Sequence, residues 1–183
     1  MVWLFDGKVV NLTNDNYVES SVIESMFVDD YTVDNYEVST KNDSNNYNEK
    51  SNNEVLLELY IPRISLRKYV YTLDSSKNNV NVNVALLKGS DIGLNLYFLA
   101  AHSGGRRVSF FDDLVYLEKG DIIWIYIGGK SLGYVVDDIF YIEKRGYFEA
   151  NYSSDGNRLF LITCSLEDKS KQIVVTGKLV YSS

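Results

Sequence analysis

The 183-residue chain has one cysteine and one histidine. A single thiol excludes an internal disulfide, and neither a C-x-x-C pair nor a Cys/His cluster is present to hold zinc, so no metal and no cofactor is expected. Basic residues are short as well: Lys and Arg number 18 against 25 Asp and Glu, a formal charge of −7. Without a basic stripe to meet a phosphate backbone, nucleic acid is not an expected partner. No apolar run approaches the roughly 20 residues that a membrane-spanning helix needs. The opening MVWLFDGKVV is too short, and too polar downstream, for a signal peptide or a span, so a soluble chain is the expectation.

Apolar and aromatic residues are plentiful. Hydrophobic residues make up 45% of the chain and aromatic ones 14%, with 15 tyrosines, which supports one well-buried, mostly β domain. Residues 33–53 (VDNYEVSTKNDSNNYNEKSNN) are rich in Asn, Ser, Asp and Lys and cannot bury enough apolar surface to offset ordering entropy. They read as a linker. Before it, Val18, Val22, Ile23 and Met26 have the spacing of a short amphipathic helix. From Glu54 onward come the strand-like runs VLLELYI, KYVYTL, VNVNVALL, LNLYFLAA, IIWIYI, YVVDDIFYI, RLFLITC and QIVVTGKLVY, separated by turn residues. Eight runs in one domain predict a closed or nearly closed β-barrel. FFDDLVYLEKGD, with Phe110, Leu114 and Leu117 at helical spacing and Gly120 as a stop, predicts one short helix. The expected organisation is a flexible N-terminal arm over 1–53 and a mainly β, eight-stranded barrel with one or two short helices over 54–183.

Two reactive side chains end apolar runs: His102 closes NLYFLAAH and Cys164 closes RLFLITC. RLFLITC is apolar on both faces of a period-2 pleat and predicts a central strand, whereas VNVNVALL alternates with Asn and predicts one wet face. A thiol and an imidazole at strand ends can meet at one rim of a sheet, as a cysteine nucleophile and its proton partner require. The plainer alternative is a small buried hydrophobe and a packed histidine.

The order of several short motifs decides between these. Leu59-Tyr60-Ile61-Pro62-Arg63-Ile64 matches an L-x-I-P-x-I opening, Ala100-Ala101-His102 an A-x-H segment, and Leu161-Ile162-Thr163-Cys164 a TLxTC-like strand end. Phe111, Leu114, Leu117 and Gly120-Asp121 match an F-x-x-L-x-x-L-x-x-GD element, and Tyr134-Val135-Val136 a Y-x-V strand. Together, from Leu57 to Leu179, the chain resembles the sortases, cysteine transpeptidases of the Gram-positive cell surface. The short connections from Lys144 to Arg158 and from Ser165 to Lys171 resemble those of the smaller members.

The resemblance implies that Cys164 attacks an LPXTG-like sorting signal of a surface protein between Thr and Gly. An amine from a peptidoglycan precursor or a pilin-like protein then takes over the acyl chain, at the extracellular face of the membrane or in the cell wall. His102 would be the acid that protonates the departing amine. The family's third residue is an arginine on the last strand, and counting back from Gly177 puts Gln172 there. An amide can donate to an oxyanion but brings no charge. A catalytically weak or inactive barrel that binds sorting peptides or surface proteins is therefore the alternative function.

Arg106 and Arg107, just after His102, are the candidate charged substitutes, set against the reading of a solvated turn. Arg158 lies six residues before Cys164, about 20 Å along a strand, and is too far. Lys171 points to the face opposite Gln172. Thr163 turns its side chain away from Cys164 but puts its peptide near the reacting carbon, either to help hold the oxyanion or simply as a strand-favouring residue. Asp112 and Asp113 are adjacent and diverge, which fits a solvated face rather than an acid-base pair or a metal site.

Overall fold

The computed structural model describes residues 54–105, 107–145, 150, 152 and 156–183. The predicted arm over 1–53, with its helix and linker, lies outside the described residues. Period-2 patterning sets the strands of the barrel: β1 (Val55–Ile61), β2 (Leu66–Tyr71), β3 (Ala85–Leu86), β4 (Tyr97–Ala100), β5 (Ile122–Ile127), β6 (Lys130–Glu143), β7 (Arg158–Cys164) and β8 (Lys171–Ser182). They form one eight-stranded sheet in the order β2-β1-β5-β6-β8-β7-β4-β3, and a single bridge between Val70 and Val84 joins its two edges. Every strand predicted from sequence is present.

Two predicted elements differ in detail. VNVNVALL is a strand only at Ala85–Leu86. Its asparagines bond locally instead: Asn79, just before the run, accepts from the Asn81 amide at 2.9 Å through its side chain and from the Asn83 amide at 2.8 Å through its carbonyl, and the Asn83 side chain donates to the Lys77 carbonyl. Asn side chains that capture nearby backbone compete with ladder formation, so the alternation became a turn. The segment predicted as one short helix is the 3-10 helix Asp112–Tyr116. Phe111, Leu114 and Leu117, three apart, are buried together, and three-residue spacing matches the tighter helix, whose side chains at i and i+3 eclipse. A second 3-10 turn, Pro62–Ile64, follows β1.

Alternation along the central strands divides the core in two. Leu159 and Leu161 of β7, Ile173 and Val175 of β8, and Tyr97 and Leu99 of β4 face the barrel interior with Leu57, Leu59, Ile123, Ile125 and Tyr134. Phe160 and Ile162 of β7, Val174 of β8, and Phe98 and Ala100 of β4 form a second cluster with Val80, Leu87 and Leu96. Because the residues between them in sequence fill the interior, this second cluster covers the outside of the wall made by β8, β7 and β4. Phe140, Ile142, Ala150 and Tyr152 pack against it. The wall ends in the residues singled out by sequence.

Candidate active site

β7 lies between β8 and β4 in the sheet, so Cys164 has a neighbour on each side. In the antiparallel β7/β8 ladder its partner is Gln172. In the parallel β4/β7 ladder Ala100 pairs with Ile162, and Ala101 N–H donates to the Ile162 carbonyl at 3.3 Å, which carries the alignment one residue beyond β4. His102 follows, and continuing this alignment puts it level with Cys164. The parity agrees: Ala100, Ile162 and Val174 belong to the outer cluster, Ala101 and Ile173 to the interior one. His102, Cys164 and Gln172, each two residues further on or back, therefore continue the outer face as one row. Residues 62 and 70 positions apart in sequence are brought together by strand order and register.

Several hydrogen bonds fix the ends of that row. Thr163 is buried, and its hydroxyl donates to the Ala101 carbonyl at 2.8 Å from the interior side. This ties the peptide before Cys164 to the peptide before His102. The Ser103 hydroxyl donates to the Cys164 carbonyl at 2.6 Å. Asp112 accepts from the amides of Gly104 at 2.6 Å and Gly105 at 3.0 Å, holding the loop that leaves His102. Beyond Cys164, Ser165 N–H bonds the Lys171 carbonyl at 2.9 Å and the Ser165 hydroxyl accepts from Asp168 N–H at 3.1 Å, a closed turn that sets the β7/β8 register. Hydrogen bonds from the Ser170 hydroxyl and amide hold the Asp168 carboxyl below the usual carboxylate range.

Gln172 is only 1% exposed, and its Nε2 has no hydrogen-bond partner among the described residues. A buried amide donor left in this state is costly, on the order of 1–3 kcal/mol, and calls for a reason. Its register partner is the half-buried Cys164. An N–H poised beside a thiol can donate to an oxygen that develops negative charge when the thiol attacks a carbonyl.

The other predicted residues separate from this row. Arg107 is exposed in the loop after Gly105, and Arg106 lies outside the described residues. Arg158, at the far end of β7, forms a two-pronged ion pair with Asp137, which also accepts from the Thr176 hydroxyl at 2.6 Å. Burial pushes the Asp137 carboxyl up, but these hydrogen bonds outweigh it and hold it below the usual range. The Lys171 ammonium lies 3.4 Å from Asp168. Asp112 serves the loop amides rather than pairing with Asp113. Among the described residues no group of three or more His, Cys, Asp and Glu is placed to hold a metal ion.

Two residues of the neighbourhood escape sequence reading. Ser103 follows a histidine in what reads as a plain turn. Asn81 lies in the alternating run, and its Oδ1 is 3.0 Å from His102 Nε2. Below the row the outer wall is aromatic. Phe98 and Phe160 stack with centroids 4.6 Å apart, and Tyr152 meets both edge-on at 6.1 and 6.3 Å. Burial, with the Asp91 charge, pushes the Tyr152 phenol up, keeping it neutral.

A thiol flanked by an imidazole and a buried amide, on the outer wall of an eight-stranded barrel, defines a candidate cysteine-nucleophile site. Comparison with known proteins agrees on the lineage. The Sortase domain model matches residues 59–180, and the chain belongs to the sortase family. It is 29% identical over 128 residues to Sortase A of Bacillus anthracis, a match covering 69% of this chain and 60% of that protein. Sortase C of Streptococcus pneumoniae superposes with a TM-score of 0.61 at 27% identity, over 72% of each chain. Sortase C-1 of Actinomyces oris gives 0.58 at 26% identity, over 73% of this chain and 78% of that one.

Proposed function

We propose that this protein is a cysteine transpeptidase that cleaves an LPXTG-like sorting signal and transfers the acyl fragment to an amine. The observation that carries the reading is the single row of Cys164 between His102 and Gln172 at the rim of the outer wall, in a chain of the sortase family. The Cys164 thiol gives its proton to His102, and the sulfur attacks the scissile Thr-Gly carbonyl. The negative oxygen accepts a hydrogen bond from Gln172 Nε2, and the Thr163 peptide is the second group near it. As the C–N bond breaks, His102 returns the proton to the departing amine, leaving a thioacyl-enzyme. An acceptor amine then attacks, His102 removes its extra proton, and the thiolate leaves and is reprotonated.

The substrates under this reading are surface proteins carrying the sorting signal, and the acceptor is an amine of a peptidoglycan precursor or of a pilin-like protein. The reaction takes place outside the cytoplasm, at the membrane face or cell wall. The structural relative from Streptococcus pneumoniae is described with pilin substrate specificity, which supports including pilin-like acceptors. Arg106 and Arg107 are candidate contacts for the substrate backbone. A second reading, a barrel that binds sorting peptides with little or no turnover, is favoured by Gln172, an uncharged amide at the position that resembles the family's arginine.

Intact-mass spectrometry after incubation with a small library of LPXTG-like peptides separates the two. The expected result is a mass gain equal to the N-terminal acyl fragment, absent in Cys164→Ala. Binding of a peptide without any adduct is the result that would replace the transpeptidase with the binder.

A further inference from the structure

The run of asparagines before β3 builds a rigid support directed at His102. Asn78 clamps Leu86 from both sides, donating to its carbonyl at 3.0 Å and accepting from its amide at 2.7 Å. Asn79 closes the turn beneath Asn81. Asn83 donates to the Lys77 carbonyl at 3.0 Å. Val80 is buried in the outer cluster at 1% exposure and anchors the turn to the wall that carries Cys164. Three of the four asparagines serve backbone, and the fourth, Asn81, reaches the histidine: its Oδ1 lies 3.0 Å from Nε2.

We propose that Asn81 is a positioning residue for His102: its carbonyl oxygen holds the ring in the Nε2–H tautomer and leaves Nδ1 as the nitrogen that exchanges a proton with Cys164. This rests on the reading that Cys164 and His102 react together. An amide oxygen can only accept, so the ring nitrogen facing it must carry hydrogen, in the neutral ring as in the imidazolium. The bond strengthens when the ring is charged, because a charge-assisted donor is the stronger one. Asn81 thus favours the state in which the thiol has given up its proton, without adding a charge of its own. Among the described residues, the titratable and charged groups on the surrounding elements include Cys164 on β7, Asp112, taken up by the Gly104 and Gly105 amides, Asp113 beside it, and the exposed Arg107. On the asparagine turn, Lys88 is exposed and Lys77 lies 3.4 Å from Glu54.

The composition makes the test direct. With one histidine and one cysteine in the chain, nitrogen NMR of a labelled sample reads the His102 ring alone, and iodoacetamide marks Cys164 alone. Above its titration, the wild-type ring is expected as the Nε2–H tautomer. Asn81→Ala should convert it to a tautomer mixture and slow alkylation at pH 7 by about tenfold, in line with a lost hydrogen bond to a charged group. Asn81→Asp keeps the size and the acceptor. It should retain the Nε2–H tautomer and raise the His102 midpoint by about one unit, because a carboxylate favours the imidazolium. Recovery in Asn81→Asp of what Asn81→Ala loses excludes collapse of the turn as the cause. An unchanged tautomer and alkylation profile in Asn81→Ala would overturn the proposal. Failure of the underlying reading looks different: His102→Ala would then leave the alkylation profile of Cys164 unchanged, while the tautomer still reports on Asn81.

Discussion

Replacing Gln172 with methionine separates what this side chain does for folding from what it does for chemistry. The amide is 1% exposed and its Nε2 has no partner among the described residues, so the folded protein carries a desolvated donor that costs on the order of 1–3 kcal/mol. Methionine keeps the length and most of the volume without the polar atoms, and a swap that conserves volume in a packed site usually costs under about 1.5 kcal/mol. The two effects nearly offset or favour the variant, so the free energy of unfolding in urea should stay level or rise by about 1 kcal/mol. Turnover should move the other way. Loss of a single oxyanion donor slows acyl transfer by about 100- to 1000-fold, or roughly 2.7–4 kcal/mol at the transition state. The fall should appear in kcat with KM little changed, since the interaction forms only when the carbonyl oxygen becomes charged. Urea denaturation and single-turnover peptide cleavage measure both quantities on one sample. Destabilisation by more than about 2 kcal/mol would mean that the amide supports the fold, and turnover within threefold of wild type would mean that it touches nothing in the transition state. Either result refutes the reasoning.

Two further predictions probe the surroundings. Thr163→Val removes the hydroxyl that satisfies the buried Ala101 carbonyl, and should lower stability by about 1–3 kcal/mol in urea denaturation while slowing alkylation of Cys164. Equal stability would show that the Ala101 carbonyl finds another donor. Burial pushes the Tyr97 phenol, which lacks a hydrogen-bond partner among the described residues, up to about 12 from an ordinary value of 10. A raised folded value means stability that is fully present below pH 10 and is lost as the pH rises through about 12, because the unfolded chain ionises first. Tyr97→Phe should therefore lose less stability than wild type between pH 9 and about 11.5, read from urea midpoints, and parallel curves would refute the assignment.

The sequence by itself determined the strands, because period-2 apolar patterning with turn residues between runs has few alternative structures, and β1, β5 and β7 match their predicted runs residue for residue. The order of short motifs was enough for the family. It misled where side chains bond their own backbone: the Asn-alternating run looked like a half-wet strand, and only folding showed that Asn79 and Asn83 turn the chain while Asn81 reaches His102. The juxtaposition of Cys164 with His102 and Gln172 belongs to tertiary structure. It depends on the parallel pairing of β4 with β7 and on the bridge between Val70 and Val84 that joins the sheet edges, contacts between residues far apart in sequence that no local pattern encodes. So does the Gln172 Nε2, without a partner among the described residues, since whether a buried donor finds an acceptor depends on which strands flank it.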